Sequence, residues 1–178
     1  MIQENLSIIR LYQDSFDAYL EDLANLLHAC VHDGASVGFI LPFSLDESRT
    51  YWLEKVRPSV VDKTVVLWIA KLDQDVVAGT VQLDCNTMPN QAHRAQVSKL
   101  LVSPDHRRLG VAKALMSTLE KQAIRQYKSL LTLDTRTDDK AEPLYTSLGY
   151  STVGVIPFFA RDPFAEHFDG TTIMYKRL

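Results

Sequence analysis

The residues best suited to chemistry form one short segment, Arg107-Arg108-Leu109-Gly110-Val111-Ala112. It follows an apolar strand that ends at Val102 and a turn over Pro104, and it opens a strongly helical stretch. The first amides of a helix have no internal acceptor and lie at the positive end of its dipole, so an anion is stabilised there. Gly110 lets the backbone approach such an anion, and the two arginines supply charge-assisted donors. The segment therefore predicts a diphosphate site, and its place after the strand favours this over a solvated turn.

A second cluster of reactive side chains, His28, Cys30, His32 and Asp33, invites a metal interpretation. Residues two apart on a helix point in different directions, and only His28 and His32 share a face. No second ligand group accompanies them, so we expect surface or core histidines and no metal site.

The elements that position the first segment follow from the spacing of apolar residues. Strands are predicted at 6–12, 64–70, 76–83, 95–102, 130–135, 151–156 and 171–176, and helices at 14–31, 46–56, 110–127 and 140–148. Asp46 is the expected N-cap of the second helix, which should end before Pro58. A hairpin turn is expected at residues 73–75, and a long loop at residues 157–170. The order predicts an α/β (α+β) fold, a mixed sheet with helices on its faces.

Length and composition narrow the class of protein. The chain has 178 residues, 46% of them hydrophobic, and a formal net charge of −3. One domain over residues 1–178 is expected. The net negative charge argues against a domain that mainly binds nucleic acid. The first ten residues lack a secretory signal, and the apolar run Val65–Ala70 is far shorter than the roughly 20 residues that span a bilayer. Cys30 and Cys85 form no disulfide framework, which favours a cytoplasmic protein without a membrane partner.

Two motifs resemble those of the GNAT acetyltransferase superfamily. The stretch from Leu101 to Leu115, with Arg107-Arg108-Leu109-Gly110-Val111-Ala112, is similar to its motif A, and Leu144-Tyr-Thr-Ser-Leu-Gly-Tyr150 is similar to its motif B. The resemblance implies the GNAT fold: a mixed, mostly antiparallel sheet of about seven strands, splayed after the fourth, with about four helices. It also implies acetyl-CoA as co-substrate and an N-acetyltransferase activity, and a homodimer is common in the family.

A closer resemblance is to the tabtoxin-resistance type of this family, which acetylates a small amino-acid-like toxin. The segments that carry it are Gly34–Phe39, Gly79–Asp84, Arg94–Leu100, Leu133–Thr135 and Thr172–Lys176. At Gln96 that group has a glutamate, so one candidate base is absent from this chain.

The resemblance also implies which residues hold the coenzyme. The pantetheine arm enters the splay, where backbone groups of the fourth strand pair with it and an amide stabilises the oxyanion. Asp138 lies seven residues before Tyr145, where the family often has an asparagine that touches the cofactor. The implied cofactor-binding residues are Leu100, Leu101, Val102, Arg107, Arg108, Leu109, Gly110, Val111, Ala112, Lys113 and Asp138.

Attack on a thioester requires a neutral amine, whereas an alkyl ammonium has a pKa of about 10. Tyr145 matches the motif B tyrosine, which implies that it protonates the leaving thiolate. Asp134, at the end of a strand facing the splay, is the favoured base, directly or through water. The alternatives are a packed helix aromatic for Tyr145 and a turn cap for Asp134. No Cys–His pair indicates a covalent nucleophile, so direct transfer is favoured.

The acceptor is assigned from weaker signals. Gln96 could orient a water or bind the substrate. The stretch from Pro157–Arg161 through His167 and Phe168, with Phe39 and Trp52, could line the acceptor pocket, and the long loop there suggests a closed, small pocket. We therefore expect a primary amine on a small amino-acid-like molecule. Two alternatives stay open: an amine of a protein or peptide, and a sensor that binds acyl-CoA without catalysis.

Overall fold

The computed structural model describes residues 5–72 and 75–178. Its centre is a seven-stranded sheet in the order β1-β2-β3-β4-β5-β7-β6. The strands are β1 (Ser7–Leu11), β2 (Val65–Lys71), β3 (Val77–Asp84), β4 (Arg94–Val102), β5 (Leu130–Arg136), β6 (Ser151–Arg161) and β7 (Phe168–Arg177). Only β4 and β5 are parallel, and the other neighbours are antiparallel. The predicted mixed, mostly antiparallel sheet is confirmed.

The helices fall into four groups along the chain. They are α1 (Gln13–Phe16) continuing through a 3₁₀ turn into α2 (Leu20–His32), α3 (Leu45–Tyr51) continuing through a π-helical turn into α4 (Arg57–Val61), α5 (Val111–Arg125) and α6 (Ala141–Ser147). The expected four helices on the sheet are thus confirmed as four groups.

The sheet separates two apolar layers, because successive side chains of a strand point to opposite faces. On one face, Leu115 and Leu119 of α5 and Tyr145 of α6 pack with Val81 and Val97. The other face carries the helices from α1 to α4. There the packed residues include Leu23, Leu27, Trp52, Leu67, Ile69 and Leu101.

The sheet opens between β4 and β5. These strands pair only where Arg94–Gln96 lie beside Leu130–Thr132. Beyond Gln96, the ladders of β4 are with β3 alone. The remaining edge of β4 therefore faces a wedge-shaped gap, which is the splay expected after the fourth strand.

A bulge bends β4 at the mouth of this gap. The register with β3 shifts between Thr80 and Gln82, and Lys99 has a positive φ of 49°. Just beyond it, β3 and β4 approach so closely that a Cβ on Gly79 would lie 2.7 Å from the Leu101 carbonyl oxygen. Glycine is required at position 79 because a side chain would clash with β4, and not because of its backbone torsion angles.

The second helical group begins and ends differently from the prediction. Ser44, not Asp46, is the N-cap of α3: its hydroxyl accepts from the Glu47 amide at 3.1 Å, and the Glu47 carboxylate accepts from the Ser44 amide at 2.7 Å. This capping box satisfies two helix-end donors at once.

The expected end before Pro58 is also wrong. The chain widens into a π-helical turn over Trp52–Val56, and the backbone amide of Arg57 donates to the Trp52 carbonyl. Pro58 then falls in the first turn of α4, where a missing amide proton costs nothing.

Residues 157–170, expected to be a long loop, instead extend β6 and β7 into a hairpin. Ala160 pairs with Asp169 and Arg161 with Phe168. Asp162 closes the end by accepting from the Phe164 and Ala165 amides at 2.8 and 2.9 Å. Sequence periodicity missed these strand ends because Val155, Phe158 and Phe159 are exposed, so no buried face marks them. A loop that closes a small pocket is therefore not present here.

The other predicted strands and helices agree with the structure to within about two residues, as is usual for element ends. In the expected hairpin turn at 73–75, Asp73 and Gln74 lie outside the described residues. Asp75 is described and pairs with Lys71 at 2.6 Å.

Candidate functional site

Gly110 forms the start of α5 in a left-handed conformation, with φ of 83°. No side chain caps this end of the helix, and the first intrahelical bond runs from the Ala114 amide to the Gly110 carbonyl at 3.0 Å. The amides of Val111, Ala112 and Lys113 therefore have no acceptor within the helix. A Cβ built on Gly110 meets no heavy atom within 4 Å, so the space before these amides is open.

The charged side chains around this helix end differ in their surroundings. Arg107 is held by Asp33, with Nη2 and Oδ2 2.6 Å apart. Arg108 is exposed and has a positive φ of 69°. Leu109 and Lys113 are exposed as well. The predicted diphosphate site, formed by residues 107–113 and called the cradle from here on, is thus open to solvent and bears three cationic side chains.

The free edge of β4 runs from the gap towards this cradle. Leu101 is buried in the layer under α2, while Leu100 and Val102 pack partly against the opposite layer. Cys30 donates its thiol to the Val102 carbonyl at 3.5 Å. The apolar side chains are therefore core residues, and the backbone is what faces the gap.

Tyr145 lies in α6, which contacts β5, and belongs to the apolar layer on the α5 face of the sheet. Its side chain is 7% exposed, and its ring meets that of Tyr150 edge-on at 5.8 Å. Burial raises the pKa of Tyr145 above its usual value, and the charges of Asp134 and Asp139 raise it further. The phenol is therefore protonated at neutral pH.

Asp134 is exposed on β5 after the splay begins. Thr171 donates to its carboxylate at 3.4 Å. Its negative charge raises the pKa of Tyr145 and acts to raise that of Lys99. The predicted acid and base therefore interact electrostatically.

Lys99, which the sequence interpretation did not single out, lies at the β4 bulge. Its Nζ donates to the Val37 carbonyl at 2.8 Å and stands 5.6 Å from the centre of the Tyr51 ring. Burial lowers the pKa of this ammonium, while the charge of Asp134 acts to raise it. The signal in the sequence was a lysine inside the otherwise apolar end of a strand.

Two further polar residues line the same face beside Lys99. Gln82, the register partner of Ser98, is 5% exposed, and its Nε2 has no hydrogen-bond partner among the described residues. Burial raises the pKa of Tyr51 to about 12, although the Gln82 amide beside its hydroxyl acts in the opposite direction. Sequence reasoning missed this cluster because its members come from three separate elements.

The three residues predicted to bind the acceptor differ in exposure. Phe39 is half-buried and packs on Phe43 and Tyr51, with ring centres 4.5 and 5.2 Å apart. Gln96 is exposed where the splay begins. Trp52 is 0% exposed, so its side chain has no surface open to an acceptor in this structure. It supports Tyr51 from beneath instead.

Asp138 is exposed in the turn before α6, with φ of 62°, and its amide donates to Glu142 at 3.3 Å. Its carboxylate thus remains open to solvent.

His28 and His32 stack on each other, with ring centres 4.0 Å apart. A different group, Asp162, His167 and Asp169, brings three potential metal ligands together. Arg136 reaches both of its carboxylates, at 3.4 and 3.7 Å, and already supplies positive charge there.

Comparison with known proteins identifies relatives with this architecture. The model of the acetyltransferase (GNAT) family matches residues 5–150. N-acetyltransferase 8 of Homo sapiens is 37% identical over 90 residues, which is 49% of this chain and 39% of that protein. The chain therefore matches well under half the length of that relative. An uncharacterized N-acetyltransferase of Azospirillum brasilense, from the hisH–hisA intergenic region, is 29% identical over 70% of this chain and 72% of its own length.

Solved structures share the fold over nearly the whole chain. A GCN5-related N-acetyltransferase from Kribbella flavida superposes with a TM-score of 0.77 and 20% identity, covering 97% of this chain and 98% of its own. A protein from Salmonella typhimurium, solved with its cofactor acetyl-CoA, has a TM-score of 0.75 and 17% identity, covering 98% and 94%. In the part of the chain that the structure describes, no helix has the length and apolarity to cross a membrane.

Proposed function

The chain belongs to the acetyltransferase (GNAT) family, and from this premise we propose that it moves the acetyl group of acetyl-CoA to a primary amine of a small amino-acid-like molecule. The observation that carries the proposal is the open, left-handed Gly110 at the start of α5, directly beside the unpaired edge of β4. A coenzyme with a diphosphate at one end and an extended arm at the other fits both features.

The diphosphate would lie against the amides of Val111, Ala112 and Lys113, since anions are stabilised at a helix start. Arg107 and Arg108 would add charge-assisted hydrogen bonds. The arm would follow the free edge of Leu100–Val102, with Leu109 and Asp138 at the borders of the site. These roles are supported by the exposure of the cradle and by the short ladder between β4 and β5.

Asp134 and Tyr145 would handle the protons. One proton leaves the substrate ammonium for Asp134, and the neutral amine attacks the thioester carbon. The C–N bond would form to give a tetrahedral oxyanion, and the C–S bond would then break while Tyr145 protonates the thiolate and the nitrogen loses its second proton to solvent. The proton on Asp134 would return through solvent to Tyr145, which restores both groups. The net products are an amide, a free thiol and one proton. The raised pKa keeps Tyr145 protonated and so able to donate, although the same burial makes its proton harder to release.

The finer assignments belong to the same proposal. One domain over residues 1–178, a cytoplasmic location, a homodimer and kinship with the tabtoxin-resistance type remain inferences from the sequence. Gln96, where the splay begins, and Phe39, packed on Tyr51 beside Lys99, would border the acceptor.

The direct test is a free-thiol assay with acetyl-CoA and a panel of small amines, free amino acids and peptides. We expect thiol release with amino-acid-like amines. Turnover confined to peptides would reject the small-molecule version in favour of a peptide acetyltransferase. If acetyl-CoA binds but no amine is acetylated, the sensor hypothesis replaces the enzyme.

A further inference from the structure

Three lysines of the described chain stand over tyrosine rings, and they form a natural comparison. Lys71 lies 5.4 Å from the centre of the Tyr19 ring and pairs with Asp75 at 2.6 Å. Lys176 lies 5.6 Å from the Tyr150 ring and pairs with Glu120 at 2.7 Å. In both places a carboxylate completes the surroundings of the ammonium.

Lys99 is the third, and it lacks such a carboxylate. It stands 5.6 Å from the Tyr51 ring, yet none of the ion pairs between described residues includes it. Among the described residues its one hydrogen bond is to the Val37 carbonyl, whereas an ammonium has three protons to donate. The charge of Asp134 acts on this ammonium from β5, but no described carboxylate forms an ion pair with it. Because a partly buried cation without a directly bound anion is costly, this position favours an anion beside Nζ.

Gln82 supplies a second donor beside the same tyrosine. Its Nε2 is buried next to the Tyr51 hydroxyl, but it makes no hydrogen bond of good geometry to any described residue. Buried amides are almost always paired, so this group favours a further acceptor. Lys99 stands over the ring of the same tyrosine, so an ammonium and an amide lie beside one side chain and could each donate to one oxygen of a carboxylate.

The opposite charge lies across the gap. Asp134 is on β5, beyond the point where β4 and β5 part, and its charge influences the Lys99 ammonium. A molecule with an ammonium at one end and a carboxylate at the other could therefore bind both sides of the gap. Its amine would face Asp134, and its carboxylate would face Lys99.

The geometry points to Lys99 and Gln82 as the residues that bind a carboxylate of the acceptor, which makes the substrate a carboxylate-bearing amine. This rests on the proposed function for the identity of the reacting amine. Lys99 and Gln82 are specificity residues here, because they touch the substrate away from the bond that forms.

The test compares common L-amino acids with their primary amides, which keep the amine and lose the carboxylate charge. Binding is measured by calorimetry on the CoA-saturated protein, and turnover is measured separately by thiol release. We expect the best free acid to bind about tenfold or more tightly than its amide, as a charge-assisted hydrogen bond allows. Lys99→Met should remove this preference and leave amide binding nearly unchanged.

Two variants guard the interpretation. Lys71→Met is the matched control, because it removes a tyrosine-stacked lysine outside the gap and should keep the preference for acids. Gln82→Glu keeps nearly the same volume but places a carboxylate where the substrate anion would lie. It should abolish the preference even if Lys99→Met fails to fold.

Binding of acids and amides with equal affinity by the wild type overturns the assignment, and so does a panel in which nothing binds. An equal loss of acids and amides in both variants overturns it as well. Acetylation of amines without preference rejects the carboxylate subsite and leaves the proposed function standing. If acids bind more tightly than amides but no amine is acetylated, the carboxylate subsite stands and the proposed function is rejected.

Discussion

Gly110 combines a positive φ with the absence of a side chain at the start of a helix. Its positive φ turns the start of α5 outward, and the absence of a side chain leaves the helix-end amides reachable. No neighbouring atom fills the space that a Cβ would occupy, but the positive φ strains any other residue at this position. A test of the cradle therefore compares two substitutions that carry the same backbone strain and differ in charge.

We expect Gly110→Asp to lower the affinity for acetyl-CoA by about tenfold or more, equivalent to ~1.4 kcal/mol, because a negative charge would meet the diphosphate. Gly110→Asn is the matched control: asparagine tolerates positive φ and has nearly the same size without the charge. Calorimetric titration of both variants measures the difference. Equal affinities for the two would place the diphosphate elsewhere.

Tyr145 and Tyr150 offer a second pair at this scale, since their rings are in contact and only one faces the gap in our proposal. General acids contribute about 10²- to 10⁴-fold to rate, so we expect Tyr145→Phe to reduce kcat by at least ~100-fold with little change in acetyl-CoA affinity. Tyr150→Phe should retain most of the rate. Similar rates for the two variants would remove Tyr145 from the reaction.

The pH dependence follows from the raised pKa of Tyr145. An unperturbed tyrosine loses its proton near pH 10. Because the folded-state pKa lies above that value, the wild-type rate should show no loss from phenol ionisation around that pH. An alkaline decline that Tyr145→Phe abolishes would contradict this expectation.

At the scale of elements, the approach of β3 to β4 is the feature on which the gap depends. A Cβ on Gly79 would lie 2.7 Å from the Leu101 carbonyl oxygen and 2.9 Å from a methyl group of Val111. These contacts join β3 to the unpaired stretch of β4 and to the first residue of α5. The spacing of the cradle is thus set by one small residue on a neighbouring strand.

We expect Gly79→Ala to lower the free energy of unfolding by about 1–3 kcal/mol, the usual cost of overpacking a core. Gly154→Ala in β6 is the control, because its Cβ would meet nothing within 4 Å. Urea denaturation of both variants checks the contrast. Equal stabilities would mean that β3 and β4 can separate without cost.

The elements themselves were largely predictable, because apolar residues at helical spacing mark amphipathic helices and runs of β-branched residues mark buried strands. The exceptions have physical causes. Pro58 lies inside a helical group because a π-helical turn precedes it, and the ends of β6 carry exposed apolar residues that give no inward face. Trp52 was assigned to the acceptor by its residue type, whereas its 0% exposure depends on tertiary packing. Lys99 was missed because its neighbours Val37, Tyr51 and Gln82 meet only in the folded chain.

For the whole molecule, the three-residue ladder between β4 and β5 joins two parts of the sheet. A ligand in the gap would bind both parts and add contacts that the free protein lacks. Ligands that bind only the folded state stabilise it by mass action.

We expect acetyl-CoA at 100 times its Kd to add about 2.7 kcal/mol and to raise the Tm by about 5–10 °C in a chain of this size. Differential scanning calorimetry measures the shift. Gly110→Asp at the same coenzyme concentration should show a smaller one. No shift in the wild type would contradict binding in the gap.

The ion pair between Arg107 and Asp33 has a kinetic consequence. Asp33 begins the segment that contains Val37, whose carbonyl accepts a hydrogen bond from Lys99. Arg107 of the proposed coenzyme site and Lys99 of the proposed acceptor site are therefore both held by the same stretch of chain. If Arg107 turned towards a bound diphosphate, its ion pair with Asp33 would weaken before the amine binds. Initial-rate plots should then intersect, with the coenzyme as the leading substrate of a sequential mechanism.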